Sequence, residues 1–129
     1  MVITSKEFIN KVSTLYVDLA AAEQKLREAE AQAAKTGHQM SLALDEVNAV
    51  RVQQQQFSFA VSAYTDGAFK DAIEAASKAM VLNDLNKARV EVCKSLALSK
   101  YRELESLRRQ ALGDEYVSLH PIRVDGNYL

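Results

Sequence analysis

Two histidines, one cysteine and two adjacent acidic pairs are the side chains from which this sequence would first be expected to build a reactive centre. His38 and His120 stand far apart, and neither has a carboxylate or thiol at the spacing of a metal-ligand set. No His-x-x-x-His, Glu-x-x-His or Cys-x-x-Cys pair occurs, so a bundle holding a metal is not expected. Asp45-Glu46 and Asp114-Glu115 are neighbours in sequence, and neighbours on a helix diverge by about 100°, too far to converge on one substrate atom. The four glycines are scattered and cannot form a loop that cradles phosphate. No catalytic residue, metal or cofactor is expected, and the chain reads as a non-enzyme. Cys93, between Val92 and Leu96, reads as a small buried hydrophobe, and one cysteine forms no internal disulfide.

Charge placement allows one further chemistry. Lys87, Arg89, Lys94, Lys100, Arg102, Arg108 and Arg109 outnumber Glu91, Glu103 and Glu105 by four, enough to follow a nucleic-acid backbone. The competing reading is intrahelical: basic residues late in a helix complement its dipole, and Arg102, Glu105 and Arg109 are spaced for pairs along one turn. Phe57, Phe69 and Tyr101, which would stack on bases, fall on apolar stripes instead. A formal net charge of −1 argues against a protein whose main work is neutralising phosphates.

The elements that would position these residues are helices. Ala, Leu, Glu, Gln, Lys and Arg dominate, aromatics make up only 7%, and no proline appears before Pro121, so an all-α fold is expected. Phe8, Val12, Leu15, Leu19, Ala22, Leu26, Ala29, Ala33, Thr36, Met40, Ala43, Val47, Val50, Gln54, Phe57, Val61 and Tyr64 follow one another in alternating steps of four and three. Only Thr36 and Gln54 in that series are not apolar. A period of 3.5 keeps one stripe of a helix against another helix over a long distance. The frame passes through Gly37 without changing phase, which predicts one helix from a capping box at Thr4–Glu7 to a stop at Tyr64-Thr65-Asp66-Gly67. Such a helix holds roughly 60 residues and spans about 90 Å. Its small-residue middle, Ala22, Ala29, Ala33 and Ala43, either lets two helices approach closely or simply sustains helicity. Leu42, Ala49, Val52 and Phe59 lie off that stripe and predict a second covered surface, by a third helix or another subunit.

A second helix is expected over 68–112, ending at Gly113, with a bend or break at Asn83-Asp84. Its stripes read Phe69, Ile73, Ala76 and Met80, then Leu85, Ala88, Val92 and Leu96, with Ala97, Tyr101, Leu104 and Ala111 on a rotated line. The last stretch, 114–129, holds Tyr116, Val117, Ile122, Val124 and Tyr128 around Pro121 and Asp125-Gly126, and reads as an extended arm docked on a neighbour.

The segment Ala63-Tyr64-Thr65-Asp66-Gly67-Ala68-Phe69-Lys70-Asp71-Ala72, followed by Ala76, Ala79 and Leu82, resembles one tetratricopeptide helix pair. The resemblance implies a turn at Gly67 and two helices nested on their small residues. It covers about a quarter of the chain, Asn83-Asp84 replaces the customary proline, and no second repeat follows at the family's period. An ordinary helical-hairpin turn at Gly67 is therefore the reading kept.

The expected architecture is a long antiparallel helical hairpin, coiled-coil-like, in one domain over 1–113 (helix 1 about 5–65, helix 2 about 68–112), with an extended tail over 114–129. The alternative is a compact three- or four-helix bundle folded back at Gly37 and Asn83. Folding about Gly67 leaves Phe8, Val12, Leu15 and Leu19 overhanging, and these four with Val52 and Phe59 form the expected interface with a second chain. The expected function is non-catalytic protein–protein interaction or assembly, as an oligomeric adaptor, a small chaperone or part of a larger particle. The alternative is a nucleic-acid accessory factor using the basic segment 87–109. Neither a secretory leader nor a membrane span is encoded, so the cytoplasm, or a particle assembled there, is the expected location.

Overall fold

A computed structural model describes residues 5–56 and 62–129, the side chains of Gln54, Gln56 and residues 62–66 excepted. It is all-α: α1 covers Ser5–Gln56, α2 covers Ser62–Leu112 and α3 covers Asp114–Leu119, with no strand among the described residues. The two long helices pack against each other. Neither Gly37 nor Asn83-Asp84 interrupts its helix, so the alternative bundle with reversals at those points does not form. The Thr4 side of the capping box lies outside the described residues.

The helix boundaries correct one expectation. Helix 1 ends at Gln56 rather than near residue 65, and Gly67 lies inside α2. The turn implied by the tetratricopeptide resemblance is therefore absent at Gly67. A glycine inside a helix costs about 1 kcal/mol relative to alanine, a penalty that the packing of half-buried Phe69 and buried Ala72 and Ala76 offsets.

On α1 the 3.5-residue frame is a description of burial. Every described position from Phe8 to Val50 in that frame is buried or half-buried, and the other described side chains of α1 are exposed, apart from Asp18, Glu23 and Gly37. On α2 the covered frame is Phe69, Ala72, Ala76, Ala79, Asn83, Asn86, Val90, Cys93, Ala97, Lys100, Leu104 and Leu107. Of the stripes expected there, Phe69, Ala76, Ala97, Tyr101 and Leu104 are covered, and the rest are corrected. Ile73, Met80, Leu85, Val92 and Leu96 all face solvent, while alanines and asparagines take the inside. Small side chains let helix backbones approach closely, and that closeness has no room for the bulkier residues.

Packing divides the chain into two compact units, Met1–Ala29 with Val90–Leu129, and Glu30–Arg89. In the first, Leu19, Ala22 and Leu26 of α1 meet Ala97 and Leu104 of α2 and Ile122 and Tyr128 of the tail. Val12, Leu15, Val90, Cys93, Leu98, Tyr101 and Val124 pack around them half-buried. The expected overhang is thus corrected: Leu19 is only 2% exposed. It followed from folding about Gly67; with Gly67 inside α2 the register moves, and Leu107 lines a hollow beside Leu15.

In the second unit the seam carries a buried polar group among Ala33, Met40, Val47, Val50, Phe69, Ala72 and Ala76. Asn86 Nδ2 donates to Thr36 Oγ1 at 3.3 Å, Thr36 Oγ1 lies 3.3 Å from Asn83 Oδ1, and Asn83 Nδ2 approaches Met40 Sδ at 3.5 Å. Thr36, Asn83 and Asn86 are all buried, so their mutual bonds replace those that water would make.

The tail departs from an extended arm at its start. Residues 114–119 form α3, with Asp114 and Glu115 in its first turn, where carboxylates favour a helix, and Val117 buried. From His120 onward no helix or strand forms. This segment packs on α1 of its own chain.

Candidate interaction surfaces

The strongest polar site in the molecule is the seat of that tail. Glu23 lies just off the apolar stripe of α1, so the tail that packs over Leu19, Ala22 and Leu26 also covers its carboxylate, leaving it 6% exposed. Glu23 Oε2 accepts from the backbone N–H of Asp125 and from the Tyr128 hydroxyl, the latter at 3.0 Å. One turn on, Arg27 pairs with the Asp125 carboxylate and also donates to Gln24. Gly126, at φ +125°, fits between Leu26 and the Tyr128 ring, and a Cβ there would meet them at 3.7 Å and 3.5 Å. Those are ordinary contacts; it is the backbone angle, one that side chains rarely adopt, that suits glycine here.

On the α2 side, Arg108 Nη2 donates to the His120 carbonyl at 2.6 Å, while Arg108 Nη1 is buried with no hydrogen-bond partner. The Tyr116 and His120 rings stack with centroids 4.2 Å apart. Burial, and after it the Glu23 carboxylate, raises the Tyr128 phenol well above its ordinary pKa. Tyr101 shifts the same way, through burial first and Glu105 second. What this arrangement can do is recognise an extended segment: a carboxylate for a backbone amide and a phenol, a guanidinium for an aspartate, and apolar slots for Ile122 and Tyr128.

The expected interface residues separate. Leu19 is core, Phe8, Val12 and Leu15 are half-buried, Val52 is exposed, and Phe59 lies outside the described residues. Leu42 and Ala49, expected to share a second surface with Val52, are also exposed within this chain. The basic residues disperse too. Lys94 pairs with Glu91 at 3.6 Å, Lys100 with Glu103 at 3.9 Å, and Arg109 with Glu105 at 2.8 Å and Asp114 at 3.3 Å. Arg108 is buried against the tail, which leaves Lys87, Arg89 and Arg102 exposed. The seven residues thus spread over several faces and partners.

Hollows open on the first unit among the described residues. A shallow one of about 460 Å³ is lined by Asn10, Lys11, Thr14, Leu15 and Leu107 and is almost wholly apolar. A smaller one of about 120 Å³ lies among Tyr101, Glu105, Arg109, Val117, Ser118, Pro121 and Ile122, where Arg109 already neutralises Glu105. Among the described residues, no three His, Cys, Asp or Glu gather to hold a metal ion, and no helix is long and apolar enough to cross a membrane. No family model, no curated protein and no solved structure matches this chain.

Exposed bulky apolar side chains occur in both units, among them Ile9, Val17, Val92 and Leu119 in the first. In the second, Leu42, Leu44, Val52, Ile73, Met80, Val81, Leu82 and Leu85 are between 39% and 62% exposed, above a seam of Ala, Thr and Asn with Met40, Val47, Val50 and Phe69. The tail seat was not legible in sequence, since Glu23 contacts residues 102 and 105 positions away. The one local signal was Asp125-Gly126 followed by an aromatic.

Proposed function

We propose that this chain is a non-catalytic assembly protein, an antiparallel helical hairpin of coiled-coil type that self-associates through the outer faces of the Glu30–Arg89 unit. One observation carries the reading. In that unit, among the described residues, eight bulky apolar side chains are exposed, while its most buried residues are Thr36, Val50, Ala72, Ala76, Asn83 and Asn86. Burying a Leu, Ile or Met contributes about 1.5–3 kcal/mol, whereas an Ala seam contributes far less. Another surface laid over those exposed side chains would add hydrophobic stabilisation that the helix pair alone leaves in water. A second copy presents the same faces and satisfies that need symmetrically. Leu82 and Leu85, three residues apart on one side of α2, are the natural centre of the contact.

Sedimentation of the wild-type chain and of Leu82→Lys/Leu85→Lys tests this. The wild type is expected to associate and the double variant to sediment as a monomer with unchanged helix content. A wild type that is monomeric at high micromolar concentration and unfolds cooperatively would overturn the reading.

A further inference from the structure

We propose that Gly113 is a hinge, and that its opening hands the tail of one copy to the Glu23–Arg27 seat of a second, giving a tail-exchanged dimer. Gly113 joins α2 to α3 at φ 89° and ψ 156°, a conformation essentially restricted to glycine. Backbone bonds of helical spacing already flank the joint: Gly113 N–H to the Arg109 carbonyl at 3.0 Å, and Val117 N–H to the Gly113 carbonyl at 3.2 Å. A helical conformation at this one residue would bring the amides of residues 114–116 onto the carbonyls of residues 110–112 and fuse α2 with α3. Leu112, Tyr116 and Leu119, all exposed in the bent form, would then fall four and three residues apart on one helical face.

The tail would leave its own seat and carry its recognition chemistry with it. That chemistry does not depend on which chain supplies it. Asp125 and Tyr128 are held by Glu23 and Arg27, 98 to 105 residues distant, and the apolar slots for Ile122 and Tyr128 belong mainly to the long helices. A hinge that straightens, joined to a segment with a specific seat, is the mechanism by which identical chains exchange an element. A second copy is the occupant because it offers that seat with every contact already matched.

The inference rests on the self-association reading but uses a different unit, and the test separates the two. Arg27→Cys and Asp125→Cys are placed in separate full-length chains, both carrying Cys93→Ala, and the chains are refolded together at high concentration under mild oxidation. Exchange predicts that the mixed Arg27→Cys/Asp125→Cys disulfide dimer clearly exceeds the two homodimeric products. In parallel, Gly113→Ala strains the bent form through its positive φ alone, since its Cβ meets nothing within 4 Å there, whereas a helical conformation accepts alanine. It is expected to raise the association constant at least about tenfold. A mixed product at the random level overturns the exchange, and if the wild type still associates, the outer-face reading survives. A Gly113→Ala chain that stays folded and shows no gain in association also overturns it.

Discussion

The Tyr128 hydroxyl donates to Glu23 Oε2 at 3.0 Å across 105 residues, and the same carboxylate oxygen receives the backbone N–H of Asp125. One buried acceptor therefore holds two points of the tail. Glu23→Ala would leave both donors without that acceptor, at about 1–3 kcal/mol for each buried group that water does not reach. Tyr128→Phe keeps the ring in its slot and removes only the hydroxyl, so it is expected to cost about 1–2 kcal/mol. Urea midpoints of the two single variants and of the double variant measure the coupling. A double variant whose loss equals the sum of the singles would dissolve the proposed link between the two residues.

The same contact makes the tail sensitive to alkali. Burial and the Glu23 carboxylate raise the Tyr128 pKa above the ordinary phenol value of 10.0. A raised folded-state pKa contributes stability that is fully present below the unfolded value and is lost as pH rises through the folded one. Stability is expected to be level up to about pH 10 and to decline above it, as the unfolded state releases a proton that the folded state keeps. Tyr101 shifts in the same direction and adds to the decline. In Tyr128→Phe the alkaline loss should shrink. Denaturation midpoints across the alkaline range, with phenolate absorbance followed in parallel, decide it; an unchanged profile in the variant would assign the sensitivity elsewhere.

How far the sequence could be read depended on the length of the pattern. The α1 frame from Phe8 to Val50 was legible because many positions repeat one period, so a few exceptions such as Thr36 do not obscure it. On α2 the inside is Ala72, Ala76, Ala79, Asn83 and Asn86, and the bulky residues between them are outside. Apolar periodicity there points to the wrong face, since hydrophobicity locates a core only when the core is the greasiest side. Gly67 misled for a local reason: a glycine after Thr-Asp is a stop signal, and tertiary packing overrode it. The seat of the tail is a long-range contact between residues of no shared periodicity. No spacing rule reaches from Glu23 to Tyr128.

Thr36, Asn83 and Asn86 form a polar layer in an otherwise apolar seam. Such layers lower stability but favour the register in which every polar group finds its partner. Thr36→Val preserves shape and removes the hydroxyl that accepts from Asn86 Nδ2, so it is expected to cost about 1–3 kcal/mol. Adding Asn86→Ala removes the orphaned donor and should recover part of that loss. Guanidinium denaturation of the three proteins gives the comparison. A Thr36→Val chain as stable as wild type would mean that the layer is open to water.

Gly67→Ala distinguishes the observed helix from the turn that local sequence favours. Gly67 lies within Ser62–Leu112, is exposed, and its added Cβ would meet nothing within 4 Å. In a helix, alanine there removes backbone freedom from the unfolded chain and is expected to stabilise by about 0.5–1 kcal/mol. In a turn needing a positive φ, the same methyl group would destabilise by roughly 1 kcal/mol or more. Gly37→Ala is a paired control inside α1, where the new Cβ would sit 3.6 Å from Asn83 Oδ1, an ordinary contact, and a gain of similar size is expected. The sign of the change in thermal midpoint for Gly67→Ala settles the boundary of α2. A fall in that midpoint, with Gly37→Ala still stabilising, would put the reversal of the chain back at Gly67 and restore the overhang of Phe8, Val12, Leu15 and Leu19.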